Sequence, residues 1–207
     1  MPGASCLGRT PTIVRGGGDD RIQGTPNDDV IVAGGGKDFV AGSGGEDRIC
    51  GGDGNDLIEG GNGCDLIDGG DGDDELHGYN HDDKVIGGPG DDFLDGRRGD
   101  HRDVLIGGPG DDNGIGGRLL KGGGSDKLDT YAYGRDTNVN RALGGPGNDT
   151  IRGDDQSGFG LRLDGGSGRD RVFGDESDDA LLGGPGPDRL RATQATTGLP
   201  AAVATTG

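Results

Sequence analysis

The 207-residue chain has no tryptophan, one methionine and 3% aromatic residues, and its hydrophobic share is only 28%. Those shortages exclude an ordinary globular core, which is built from large apolar side chains. No stretch of twenty apolar residues occurs, so no helical membrane span is expected. Positive charge is scarce as well: 20 Lys and Arg stand against 38 Asp and Glu, a formal net charge of -18. Nucleic acid is therefore not an expected partner, because a phosphate backbone demands a basic stripe. His77, His81 and His101 are too few and too scattered for a zinc site, and they give no serine the partner that a nucleophile triad needs. Residues 1–10 (MPGASCLGRT) show neither the basic n-region nor the apolar h-region of a secretory signal.

Glycine fills the space these absences leave. With 52 Gly and 9 Pro, an aperiodic chain would be read as disordered. This one has a period of nine. Residues 51–77 read GGDGNDLIE, GGNGCDLID, GGDGDDELH, with Gly at places one, two and four, Asp at place six and an aliphatic at place eight. Nine such units start at Arg15, Gly24, Ala33, Gly42, Gly51, Gly60, Gly69, Gly78 and Gly87. Place six is Asp20, Asp29, Asp38, Asp47, Asp56, Asp65, Asp74, Asp83 and Asp92; place eight is Ile22, Ile31, Val40, Ile49, Ile58, Ile67, Leu76, Val85 and Leu94.

Residues 1–14 read as a cap whose Thr12, Ile13 and Val14 already occupy places seven to nine, and residues 15–95 form the regular block. Residues 96–191 form an irregular block. A unit lengthened by two residues keeps Asp103 and Leu105, and the next keeps Asp112 but has Gly114 at the aliphatic place. Five extra residues, 116–120, precede the unit of Asp126 and Leu128; residues 135–143 are a worn unit with Asn140 at place six. Asp149 with Ile151 is regular, residues 156–164 carry Leu161 at place six, and Asp170, Asp179 and Asp188 close the array. Residues 192–207, rich in Ala and Thr, read as a flexible tail.

Gly at places one, two and four frees the backbone to adopt positive φ and to approach an ion closely. Places seven to nine make a three-residue strand whose middle side chain faces inward. One aliphatic per nine residues is little to set against the entropy of ordering the backbone, and the Asp turns repel one another. The chain needs cations to fold.

The pattern G-G-x-G-x-D-x-U-x resembles the RTX, or haemolysin-type, calcium-binding repeat family. The resemblance implies an all-β fold: a right-handed parallel β-roll of about nine two-unit coils, with calcium between the turns of successive coils. An ion taking six to eight oxygens would be shared by Asp20 and Asp38, Asp29 and Asp47, and so on to Asp74 and Asp92, with turn carbonyls completing the shell. Asp149 with Asp170 and Asp170 with Asp188 continue the series, and Asp56 would use its two oxygens to bridge two ions. The metal residues expected are thus the nine Asp of the regular block with Asp103, Asp112, Asp126, Asp149, Asp170, Asp179 and Asp188. One Gly/Asp turn alone is more often a plain surface turn; sixteen Asp in phase reverse that reading. Asp19, Asp28, Glu46 and Asp73 are expected to be solvated or to support the ligands from behind, not to touch an ion. Magnesium, which keeps its waters, fits poorly. The run Gly34, Gly35, Gly36, Lys37 is no phosphate loop, since Asp38 stands where Ser or Thr should follow. The resemblance also implies a Cys6–Cys50 disulfide, with Cys64 left exposed at place five.

The expected function is binding of several calcium ions by a secreted or cell-surface, non-enzymatic structural module that folds on binding. Alternatives are an adhesin or self-assembling surface-layer protein, supported by outward Val32, Phe39, Leu57, Leu66, Ile86 and Phe93, or an accessory domain of a secreted hydrolase or epimerase. No protein or glycan partner is legible.

Overall fold

The structure is a computed structural model that describes residues 5–96, 103–116, 118–120, 123–132, 141–155, 160–175, 179–192 and 202–206. Among them are twenty-one strands and no helix. Strands alternate between two sheets, and every pairing links a strand to the one two places on, always in parallel. The eleven-stranded sheet contains β1 (Ile13–Val14), β3 (Val30–Gly35), β5 (Arg48–Asp53), β7 (Leu66–Asp71), β9 (Lys84–Ile86), β11 (Val104–Ile106), β13 (Arg118–Leu120), β15 (Arg141–Pro146), β17 (Arg162–Ser167), β19 (Ala180–Pro185) and β21 (Ala202–Thr206). The ten-stranded sheet contains β2 (Arg21–Gln23), β4 (Phe39–Gly44), β6 (Leu57–Asn62), β8 (Glu75–Asn80), β10 (Phe93–Asp95), β12 (Asn113–Ile115), β14 (Lys127–Ala132), β16 (Thr150–Asp155), β18 (Arg171–Phe173) and β20 (Arg189–Arg191). This is the right-handed parallel β-roll that the nonapeptide pattern implies.

Place eight supplies the core. Ile31, Ile49, Ile67, Val85 and Leu105 stack in register in one sheet, and Ile22, Val40, Ile58, Leu76 and Leu94 in the other, all buried. The lengthened unit after Asp95 keeps this register, with Leu105 opposite Val85. Gly114 takes its core place between Leu94 and Leu128, and the worn units contribute Ala142 and Leu163.

Three features depart from expectation. Many strands run six residues rather than three, continuing through places one to three of the next turn; Gly34 pairs with Gly52 and Gly52 with Gly70. The glycine stretch has no side chains to force the chains apart, so the parallel ladder persists into it. The five residues 116–120 are not an insertion, since they hold β13, with Leu119 opposite Leu105 and Ala142. They form a repeat that has lost its Asp turn. The expected tail likewise contains β21, which pairs with β19.

At the other end Cys6 and Cys50 form a disulfide with Cα atoms 5.7 Å apart, which pins the cap to β5. Cys64 is free and exposed.

Candidate metal centre

The turns fall on two edges of the roll. Those leading from the eleven- to the ten-stranded sheet carry Asp20, Asp38, Asp56, Asp74, Asp92, Asp112, Asp126, Asp149, Asp170 and Asp188. Along this edge the backbone N–H of each Asp donates to Oδ1 of the next, at 2.7 to 3.1 Å, without a break. The opposite edge joins Asp29, Asp47, Asp65, Asp83 and Asp103 in the same way. Among the described residues the row stops there. It resumes where the Leu161 N–H donates to Asp179 Oδ1 at 2.9 Å. Asn140 lies outside the described residues.

These bonds occupy one carboxylate oxygen. The other, Oδ2, is buried and has no hydrogen-bond partner at Asp38, Asp47, Asp56, Asp65, Asp74, Asp83, Asp92, Asp103, Asp149 and Asp170. At all of these but Asp103, whose place two lies outside the described residues, the conformation at place two accounts for this. Gly34, Gly52, Gly61, Gly70, Gly88, Gly145 and Gly166 have φ between +95° and +118°, and the non-glycine residues Ser43 and Tyr79 are held at +86° and +76°. Positive φ turns the place-two N–H toward the next coil, as Gly70 donating to the Gly87 carbonyl at 3.0 Å illustrates. At Thr25 the φ is not positive. Its N–H and hydroxyl reach Asp29 Oδ2 at 2.7 and 2.9 Å. Asp175 similarly donates its N–H to Asp179 Oδ2 at 2.9 Å. A glycine in left-handed backbone leaves an open carboxylate oxygen, whereas Thr25 and Asp175 close theirs.

The open oxygens meet other oxygens. A Cβ on Gly51 would collide with both Asp56 Oδ2 and the Gly69 carbonyl, and one on Gly69 with Asp74 Oδ2 and the Gly87 carbonyl. Each open oxygen thus lies beside a carbonyl oxygen and has no donor of its own, an arrangement that costs free energy unless a cation is added. The titration behaviour has the same cause. Burial raises the Asp56, Asp92 and Asp103 carboxyls to about 6, Asp65 and Asp74 to about 7, and Asp83 and Asp149 to about 8. The N–H bond from the preceding coil pulls each of these down, and neighbouring carboxylates push them up further.

A hard, oxygen-seeking divalent ion fits this donor set. Among the described residues no three His, Cys, Asp or Glu side chains gather in one place, so backbone carbonyls must supply much of any ion's shell. Six segments of the chain, residues 15–49, 51–80, 68–100, 77–113, 136–157 and 162–190, match the RTX calcium-binding nonapeptide repeat. The chain belongs to this RTX family. No match was found among curated proteins or solved structures. The RTX match lapses over residues 114–135, where the Asp-less strand β13 interrupts the sequence pattern but not the roll.

The structure brings sixteen place-six residues to two edges but does not make them alike. The Asp56 carboxylate accepts the Asp38 N–H through Oδ1 at 2.8 Å, so its two oxygens are not equivalent and only Oδ2 is without a partner. Sequence reasoning also overlooked a second ladder at place five. Asp19, Asp28, Asp73, Asp91 and Asp111 accept the N–H of Lys37, Glu46, Asp91, Asp111 and Ser125 at 2.6 to 3.0 Å, and Asn55 that of Asp73 at 3.3 Å. Place-five side chains reach forward along the roll while place-six side chains reach back. The recurrence of Asp and Asn at that place was the available signal.

Proposed function

We propose that this RTX roll is an extracellular, non-enzymatic structural module that takes up several calcium ions along its two edges and folds as it does so. The observation that carries this reading is the repeated buried Asp Oδ2 without a donor, found where place two has positive φ. The ions would be held by these Oδ2 atoms and by turn carbonyls of neighbouring coils. They would supply the charge compensation that a -18 chain with buried carboxylates otherwise lacks. Asp29 and Asp179, whose second oxygens are engaged by Thr25 and Asp175, would contribute least. The continuous edge from Asp20 to Asp188 would hold the longest run of sites.

The test is circular dichroism of the calcium-stripped chain, followed through a calcium titration, with its mass in solution measured alongside. Cooperative gain of β structure at about millimolar calcium is expected, because binding to the folded state adds to folding free energy. Full β content in the stripped chain, unchanged by calcium, would refute the coupling.

A further inference from the structure

From β6 to β20 the outward face of the ten-stranded sheet is sorted by charge, while β2 beyond them carries Arg21. Glu59, Glu75 and Asp95 lie on β6, β8 and β10, whereas Arg152, Arg171, Arg189 and Arg191 lie on β16, β18 and β20. Between them β12 presents uncharged Asn113 and Ile115, and on β14 Lys127 and Asp129 pair with each other at 3.6 Å. The register is unbroken across all of these strands. Each side chain's place on the grid of strands is therefore fixed.

That grid is self-complementary. β10 and β16 lie one strand out from the β12–β14 pair, β8 and β18 two out, and β6 and β20 three out. Consider a twofold axis parallel to the strands, passing between β12 and β14. It lays a second copy face to face with its coil order reversed and its strand direction kept, so place seven meets place seven and place nine meets place nine. Glu75 then faces Arg171, both at place seven. Asp95 faces Arg152 and Glu59 faces Arg191, all four at place nine. His77 falls opposite Phe173 in the same place-nine column. The closed symmetry repeats each contact twice.

We infer that the calcium-loaded chain forms an antiparallel, twofold dimer through the outward face of its ten-stranded sheet, with the acidic strands of one copy on the arginine strands of the other. This goes beyond calcium binding, because the face lies between the two Asp edges and uses none of their residues. Within one chain, Glu75 is 3.2 Å from His77, Glu59 accepts the Tyr79 hydroxyl at 3.2 Å, and Arg152 is 3.6 Å from Asp129. Among the described residues Arg171 and Arg191 have no ion pair, and both are exposed. From β6 to β20 the face spans roughly 34 Å at the usual strand spacing, and about 10 Å along three-residue strands. That area is well below the about 800 Å² per partner of a stable interface. The association is accordingly weak and governed by charge, hence sensitive to salt.

Sedimentation of the calcium-loaded chain at low salt tests this. A dimer is expected at about 100 μM, with association weakened about tenfold or more in 0.5 M salt by screening. Glu75→Arg and Arg171→Glu should each be monomeric, since like charges then oppose each other twice. Mixed in equal amounts, the two variants should form a heterodimer, because the substituted position 75 of one and the substituted position 171 of the other then face each other with opposite charge, while the unsubstituted Arg171 and Glu75 pair as in the parent. The double variant should also dimerise alone. Circular dichroism and calcium titration of the single variants should match the parent chain, which separates loss of assembly from loss of calcium-coupled folding. A monomeric parent chain at low salt, a dimer that survives either reversal, or a mixture that stays monomeric would overturn the inference.

Discussion

At the scale of a single residue, place six does two jobs with two oxygens. Asp56 Oδ1 accepts the Asp38 N–H at 2.8 Å, while Oδ2 has no partner and faces the Gly69 carbonyl across Gly51. Asp56→Asn keeps an acceptor for the ladder but removes the charge, so the variant should bind fewer calcium ions and need more calcium to fold. Asp56→Ala removes both and should be worse, in the severe class that loss of a metal ligand occupies. Asn55→Ala should leave the calcium stoichiometry unchanged. It forfeits one exposed hydrogen bond to the Asp73 N–H, worth about 0.5 to 1.5 kcal/mol. Calorimetric calcium titration of the three variants checks the ordering; equal stoichiometry in Asp56→Asn and the parent would show that the open oxygen is not a ligand. Thr25 offers the converse case. Its N–H and hydroxyl occupy Asp29 Oδ2, and Thr25→Gly should release that oxygen and strengthen calcium binding at the first turn of its edge.

At the scale of strands and turns, the two edges rather than the two halves of the chain set the order of opening. The edge bearing Asp112, Asp126 and Asp149 is continuous, whereas the other has, among the described residues, no Asp ladder between Asp103 and the Leu161–Asp179 bond. As calcium is withdrawn, hydrogen exchange should reach the Leu161 amide before those of Asp112 and Asp149, although all three lie in the irregular block. Simultaneous loss of protection would contradict this. Much of the architecture was legible in the sequence because each obligatory place admits few residue types: Asp at place six, an aliphatic such as Ile58 at place eight, Gly at place two. Register therefore survives worn units, and Leu163 lies in the core despite Leu161 at the Asp place. The strand β13 was not legible, since residues 116–120 lack the turn that marks a unit, and only pairing with β11 and β15 reveals it. Nor was the distinction between open and closed Asp residues, which depends on φ at place two. The division into two edges depends in turn on counting β13 as a strand.

For the whole molecule, the raised carboxyls link folding to pH in a direction opposite to that of most acidic proteins. Asp65 and Asp74 titrate near 7 and Asp83 and Asp149 near 8 in the folded roll, against 3.8 when unburied. Between about pH 4 and pH 8 the folded chain consequently holds more protons than the unfolded one, and stability falls as pH rises across that window. Without calcium, the contribution of these groups is fully present below about pH 4 and is lost as pH passes through 6 to 8. Protonation also relieves the self-repulsion of a chain with net charge -18. Calcium replaces the protons, so its binding should release them and its affinity should increase with pH up to about 8. The calcium-stripped chain is thus expected to show more β structure by circular dichroism at pH 4.5 than at pH 8.5, while the calcium-saturated chain changes little between pH 7 and 8.5. If the stripped chain instead loses β structure on acidification, the buried Asp rows are ionised in the apo fold and the linkage has the opposite sign.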